Sequence, residues 1–355
     1  DEVVRMPSDL LGAVGKASSE YPLVLLMNRE RVVPVPPRTD PEPAIVREFD
    51  LPAERTFALT GDARITSEAG HAAIDRALGY PGAGDGGVVT DASEFLEGCV
   101  ACRADAAIDG DPTTAWQTPF TRVRRQWAEY TLPEAVTVDR LDLRIVADGR
   151  HSVPTRLRLE VDGAARELVL PEITDVDSEN ATVTVPLEFA AMTGRTVRVT
   201  VLDVREEITN TLNGDNTALL PAAIAELGIP GVRQAEPPTE LRGECRSDLL
   251  QIDSRPVPIR ITGSAAAAEA MDRVTIESCG GDIRLGAGTH VVRAAPGIDT
   301  AVQLDRLVLA SGTGTQPLAV SEGRVTSGPE SARPQPKPAV PDVEIVNDGR
   351  TRMRI

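Results

Sequence analysis

Four stretches near the middle of this chain alternate apolar and polar residues one for one, and that period constrains the fold more than any other feature. They are Leu141-Asp142-Leu143-Arg144-Ile145-Val146, Arg156 to Val161, Thr182 to Val185 and Thr196 to Val201. Each places apolar side chains on one face and Arg, Glu or Thr on the other, as a half-buried β-strand requires. From Ala44 to about Gly231 such segments are short and separated by Gly, Pro, Asp and Asn, a spacing that predicts an antiparallel β-sandwich or jelly roll. Within it, His71 to Leu78 reads as one short helix and the glycine-rich Gly79 to Gly87 as a surface loop.

A chain of 355 residues exceeds one ordinary domain, so the apolar core is divided. The sandwich is expected over 44–232. The break Gln234-Ala235-Glu236-Pro237-Pro238 then introduces a second, smaller β-sandwich over 239–325. Its strands are expected at Val257–Thr262, Asp272–Glu277, Asp282–Leu285, Gly288–Ala294 and Ala301–Ala310, with a helical turn at Ala265–Ala270. The fold class is therefore all-β. Residues 1–43, with a helical stretch at Ser8–Ser19, the apolar run Leu23–Met27 and two proline clusters, read as the tail of a preceding unit and a stiff linker. Residues 326–355 read as a Pro-rich linker followed by a β-hairpin around Asn347-Asp348-Gly349.

A net charge of −17 with 54 acidic residues excludes a nucleic-acid groove, which needs clustered Lys and Arg to neutralise phosphates. No apolar run approaches the roughly 20 residues needed to span a bilayer. The chain opens on Asp1 with neither Met nor a signal-peptide pattern, the expectation for a processed product or an excised fragment. The four cysteines fall into two local pairs, and the disulfides Cys99–Cys102 and Cys245–Cys279 suit an oxidising compartment. Zinc is the competing use, weakened because the second pair lacks C-x-x-C spacing and no His lies near either pair.

The stretch with most chemistry is Ala106-Ala107-Ile108-Asp109-Gly110-Asp111-Pro112-Thr113-Thr114-Ala115-Trp116. Two carboxylates and two hydroxyls within six residues, on a backbone turned by Gly110 and Pro112, suit a hard cation bound by oxygen, calcium before a transition metal. The competing reading is an Asp-Gly turn that needs no ion. Trp116 and Trp127 stand out in a chain with only 3% aromatic residues, and core packing is the expected role for both. The chain has no G-x-S-x-G, H-E-x-x-H or phosphate-loop pattern. His71, His151 and His290 occupy unrelated contexts and read as ordinary surface or strand residues.

Taken in order, A-I-D-G-D-P-T-T-A-W, the later Q-W-A-E-Y-T-L and the strand L-D-L-R-I resemble the discoidin family, the coagulation-factor C-type domains that include family 32 carbohydrate-binding modules. The resemblance covers roughly residues 90–231. It implies a discoidin-like jelly roll whose closing strand returns Ala225-Glu226 to the oxygen-rich turn. Structural calcium would then take carboxylates from Asp109 and Glu226, Thr114, and the carbonyls of Ala106, Asp111 and Ala225. In this family ligands are gripped by loops at one end of the sandwich. That places Arg122, Arg124 and Arg125, together with Asp148, Arg150 and His151, as sugar-contacting candidates, with solvated surface charge as the alternative for each.

Arg103 to Val146, the ending A-A-I-A-E-L-G-I-P-G, the second β-unit after Pro238 and the Lys-poor composition together resemble the extracytoplasmic region of actinobacterial, mycobacterial-type cell-wall arabinofuranosyltransferases. That resemblance implies a noncatalytic carbohydrate-binding region, periplasmic and belonging to a membrane-anchored parent. It would hold arabinan or arabinogalactan acceptor for a membrane catalytic domain of the same polypeptide, and by itself would not be an enzyme. The alternative is a scaffold of β-sandwiches that contacts other protein and binds no sugar.

Overall fold

The computed structural model describes residues 3–29, 42–211 and 216–313, and beyond them only four two-residue strands near the C-terminus. Two β-sandwiches are present, and one is inserted into the other. The outer unit, here the frame, starts with strands β1 (Val4–Arg5), β2 (Leu23–Asn28), β3 (Val46–Leu51) and β4 (Arg55–Ile65) and helix α2 (His71–Leu78), which follows the short helix α1 (Asp9–Val14). The chain then builds the inserted module from β5 (Val89–Ala92), β6 (Trp116–Gln117), β7 (Trp127–Val146), β8 (Val153–Val161), β9 (Ala164–Val169), β10 (Thr182–Arg205), β11 (Ile208–Asn210), β12 (Thr217–Leu219) and β13 (Ala223–Glu226). It returns to the frame through β14 (Glu240–Arg242), β15 (Leu250–Ile252), β16 (Arg255–Pro256), β17 (Ile259–Ser264), α3 (Ala265–Glu269), β18 (Val274–Ser278), β19 (Ile283–Leu285), β20 (Gly288–Ala294), α4 (Gly297–Thr300) and β21 (Val302–Ser311).

The frame has two sheets, ordered β1-β3-β20-β15-β16 and β14-β17-β18-β4-β21-β2, around one core. This corrects the expected boundaries. Strands β3 and β4, assigned from sequence to the 44–232 sandwich, pair with β20 and with β18 and β21. The apolar run Leu23–Met27, assigned to a tail, is the edge strand β2 on β21. Alternation marks a strand but does not say which strand it joins, because pairing is set by contacts far apart in the chain. Helix α2 forms as expected, yet it buries Ile74, Ala77 and Leu78 in the frame core and not in the module.

The module is a seven-stranded system, β6-β13-β7-β10-β8-β9 with β5 on β7, and a separate core of buried aliphatics. Its two longest strands bend together. Thr196 of β10 faces Thr131 of β7 and Gly194 faces Val136, so Leu132 to Ala135 bulge out opposite Arg195. Pro133 lies in this bulge and has no N–H for the ladder, and the Arg195 guanidinium donates to the Pro133 carbonyl at 2.6 Å. A Cβ on Gly194 would sit 2.5 Å from the Asp162 carboxylate carbon, so the close approach excludes a side chain there. The first half of β7 then pairs with β5, and the second half with β13, which folds the strand system over its own core.

Both disulfides form, Cys99–Cys102 and Cys245–Cys279, and no free cysteine is left to bind zinc. The Pro-rich 326–342 and the stiff segment expected before Glu42 lie outside the described residues. Of the expected terminal hairpin, Val346–Asn347 pairs antiparallel with Met353–Arg354. Among the described residues no helix is long and apolar enough to cross a membrane.

Candidate functional site

Three parts of the module carry chemistry, and each is placed by the fold. The first is the oxygen-rich turn. Short side chains there bond their own backbone: Asp109 Oδ1 accepts from the Asp111 N–H at 2.7 Å and Oδ2 from the Thr114 hydroxyl at 2.6 Å. Asp111 Oδ1 accepts from the Thr113 N–H and hydroxyl, which hold its carboxyl below the usual range. Gly110 has a φ of 82° and lies against the Arg233 guanidinium, where a Cβ would come within 2.8 Å of its central carbon.

Strand β13 closes on this turn. The Leu227 N–H donates to the Ala107 carbonyl at 2.8 Å, and the Gln234 N–H to the Ile108 carbonyl at 2.8 Å. Glu226 is thereby brought to Asp109, as the resemblance implied. Burial, then the facing Asp109 charge, pushes Glu226 up to about 7, and its Oε1 is buried with no partner. Burial also raises Asp109, against the hydrogen bonds from Thr114 and Asp111. Ala106 and Ala225 are buried beside them. Of the six residues named from sequence, Asp109, Asp111 and Thr114 bond one another within the turn, and the Glu226 carboxylate faces that of Asp109. Among the described residues no three His, Cys, Asp or Glu side chains converge on a metal geometry, so backbone and hydroxyl oxygens would have to complete a shell around the two carboxylates.

The second part is the loop end of the sandwich. The Thr121 N–H donates to the Leu219 carbonyl, and Ser152 Oγ to the Leu220 carbonyl at 2.7 Å. The loops at 118–125 and 147–152 and the β11–β12 hairpin are therefore neighbours. Arg122 is 57% exposed and pairs with Glu94 at 2.8 Å and Glu97 at 3.6 Å. Arg124 pairs with Asp203 and Glu206, Arg150 with Glu179 at 3.5 Å. Arg125 takes a φ of 65° in the turn that donates its N–H to Val201. Asp148 corrects the sequence reading. Its enclosed carboxylate accepts from Arg150 N–H, His151 Nδ1 and Asn180 N–H at 2.9 to 3.0 Å, so it staples the loop and cannot meet a sugar.

Where β5 ends and β7 begins, this loop end forms a pocket of about 290 Å³ with residues 67–71 of the frame as one wall. It contains Arg122, Glu94 and Phe95 and is bordered by His71. His71 is not a surface histidine: it is 5% exposed, packs edge-on against Phe95 at 5.1 Å, and neither ring nitrogen has a partner. Burial, and then the Arg103 charge, depress it to about 3, so it is neutral. Phe120, two residues before Arg122, leaves half its surface in solvent. Sequence reading missed Phe120, although a lone aromatic between Pro119 and Thr121, outside any alternating segment, is the signal that marks it. Trp116 is fully buried, with its Nε1 directed at the Glu94 carbonyl at 3.5 Å. Trp127 is half-buried under the Arg198 guanidinium, 4.2 Å from its ring centre.

The third part is the seam itself. Arg103 is completely buried and bonds Asp75 of α2 at 2.5 Å, Asp105 of the module at 2.9 Å and the Val100 carbonyl. Tyr80 lies over its guanidinium. One cation thus ties frame to module.

Residues 88–240, which contain all of the module, match the family described as "Arabinofuranosyltransferase D, third carbohydrate binding module". The inserted all-β sandwich is thus a carbohydrate-binding module. In particular, the family model that this segment matches is that of the third such module of arabinofuranosyltransferase D. Among solved structures, the chain is similar to the single-particle cryo-EM structure of the arabinofuranosyltransferase AftD from Mycobacteria, with 18% identity and a TM-score of 0.53 over 80% of this chain and 21% of that one. A mutant of the same enzyme gives 18% identity and a TM-score of 0.51 over 82% and 22%. The family 32 module of NanJ from C. perfringens, solved with galactose, aligns at 16% identity and a TM-score of 0.27 over 47% of this chain and 98% of that one. The chain therefore spans about a fifth of the arabinofuranosyltransferase structures it matches. No curated protein sequence matches it.

Proposed function

We propose that this chain is a noncatalytic region of a cell-envelope arabinofuranosyltransferase, and that the loop end of its module holds arabinan or arabinogalactan acceptor near a membrane catalytic domain of the same polypeptide, on the extracytoplasmic side. The observation that carries this reading is the loop-end pocket, together with exposed Phe120 two residues before its Arg122 in the chain. An aromatic face, a guanidinium, carboxylate acceptors and an unpartnered imidazole meet in one concave place, the mixture of apolar surface and a few placed polar groups that a small-ligand site uses. Phe120 offers a face to the C–H side of a sugar ring, and Arg122 and Glu94 offer a donor and an acceptor to its hydroxyls. Weak contacts suffice, because tethering on one polypeptide raises the effective acceptor concentration near the catalytic site.

Calcium belongs to the same proposal, in a structural role. The donor set fits: an unpartnered buried Glu226 oxygen faces a second carboxylate, Asp109, with the Thr114 hydroxyl and the carbonyls of Ala106, Asp111 and Ala225 as further oxygens. The ion would join the closing strand to the first loop and relieve the repulsion between the two carboxylates.

Titration with arabinan and arabinogalactan oligosaccharides tests the loop end. Binding at millimolar ligand or below, lost at least tenfold in F120A/R122A while the melting temperature is unchanged, is the expected result. The absence of heat or signal at millimolar ligand, or equal binding by the variant, refutes the loop-end site and leaves a scaffold role, for which the Arg103 tie is the supporting observation. For calcium, the expected result is a higher melting temperature in excess calcium than in chelator, and no such difference in D109N/E226Q.

A further inference from the structure

A second concave space is lined on one side by the oxygen-rich turn itself, from Asp109 to Thr114, and on the other by residues 233–237 and Glu269 of helix α3 of the frame. It measures about 480 Å³, within the range of small-ligand sites. Its floor holds two buried side chains with unused hydrogen-bonding atoms. Asp105, 5% exposed, spends one oxygen on Arg103 and leaves Oδ1 without a partner. Gln234, 4% exposed, has neither its amide nitrogen nor its amide oxygen bonded. Both line this cleft, together with the carboxylates of Asp109, Asp111, Glu236 and Glu269, the Tyr80 ring and one cation, Arg233.

Buried polar atoms are nearly always satisfied by protein or by something bound. Two such side chains lining one cleft therefore mark a ligand site. The chemistry narrows the ligand. Acceptors predominate, so the ligand must donate hydrogen bonds. The acidic groups are spread around the space and do not converge on one point in a metal geometry, so several spaced donors fit better than a single ion. Gln234 adds both a donor and an acceptor, which a hydroxyl satisfies at once.

We propose that this cleft is a second saccharide site, formed jointly by module and frame, in which Asp105, Gln234 and Glu269 bind the hydroxyls of a neutral sugar. It rests on the carbohydrate-binding reading of the module but uses none of the loop-end residues. A glycan chain is then held at two places on one polypeptide, at the loop end of the module and at the seam.

The test is a titration of the whole chain, in saturating calcium, with short arabinofuranose oligosaccharides. Calorimetry gives the stoichiometry, and amide chemical-shift changes give the location. The wild type is expected to bind two equivalents, F120A/R122A to retain one, and Q234A to lose the other, with shifts at 234–237 and 265–270 disappearing together. Because Q234A alters a buried position, the surface-accessible E269Q serves as a second variant, expected to weaken the seam site at least threefold with an unchanged melting curve. One equivalent that F120A/R122A abolishes, with no shifts near Gln234, overturns the seam site and leaves the loop end intact. One equivalent that only Q234A abolishes supports the seam and removes the loop end. No binding by any form overturns both, and seam shifts that magnesium produces on top of saturating calcium, without sugar, assign the cleft to a further cation and overturn the saccharide site.

Discussion

Arg103 is where the joint between module and frame can be broken by one substitution. Its side chain is fully enclosed and bonds a carboxylate from each unit, Asp75 at 2.5 Å and Asp105 at 2.9 Å. In R103A both carboxylates lose their cation while remaining buried, and breaking a buried ion pair in this way costs about 3–5 kcal/mol. At roughly 2–3 °C per kcal/mol for a unit of this size, the melting temperature should fall by about 6–15 °C at pH 7. The loss should depend on pH with a definite sign. Burial already raises Asp75 and Asp105 above their ordinary values even with Arg103 present, and without it they rise further. A carboxyl raised in the folded state contributes stability that is complete below its unfolded value and lost as pH rises through its folded value. The deficit of R103A relative to wild type should therefore be largest at pH 7 and shrink towards pH 5, where protonated carboxyls are cheaper to bury. Urea melts of both proteins at the two pH values measure this, and R103M/D75N/D105N, which removes all three charges, should recover most of the loss. A deficit under about 1 kcal/mol at pH 7, or one equal at both pH values, would falsify the tie.

Three further outcomes follow from the same geometry. Because Glu226 is raised from 4.5 to about 7, calcium-free protein should lose stability as pH rises from 4.5 through 7, by ~1–2 kcal/mol after discounting for its partly exposed position; E226Q or calcium should flatten that slope, and an unchanged slope in E226Q would assign it to another group. Trp116 is wholly enclosed in the module core, so W116A should cost about 3–5 kcal/mol, read in a chemical melt, and a cost near zero would mean the core closes over the gap. The Cys245–Cys279 bridge closes a separation of 34 residues within the frame, so C245S/C279S should lower frame stability by about 2–4 kcal/mol without changing glycan binding at the loop end, measured on the same titration.

Much of the architecture is local and was legible. Period-two alternation at Leu141–Val146, Arg156–Val161 and Thr196–Val201 lies inside strands β7, β8 and β10, and His71–Leu78 is the helix its composition indicated. The oxygen-rich turn was legible as a turn for a related reason: Asp, Thr, Gly and Pro at close spacing bond their own backbone and one another, so it needs little from the rest of the fold. Partner choice was less legible. Leu23–Met27 and Arg55–Ile65 carry the apolar pattern of strands, yet their partners at Val302–Ser311 lie more than 230 residues away, and an alternating strand fits any sheet with a matching face.

Function divides along the same line. By itself the sequence determined that the chain is all-β, too acidic for a nucleic-acid groove, and equipped with a turn of hard oxygens, because side-chain period, net charge and donor type are properties of neighbouring residues. Tertiary structure alone decided that one sandwich is inserted in the other and that Arg103 ties the two units. It also decided that Asp148 is enclosed, that His71 is buried without partners, and that Phe120 is left in solvent. Each of these depends on which distant segment covers a side chain, and burial, more than identity, determines whether a carboxylate, an imidazole or an aromatic ring remains free to meet a ligand.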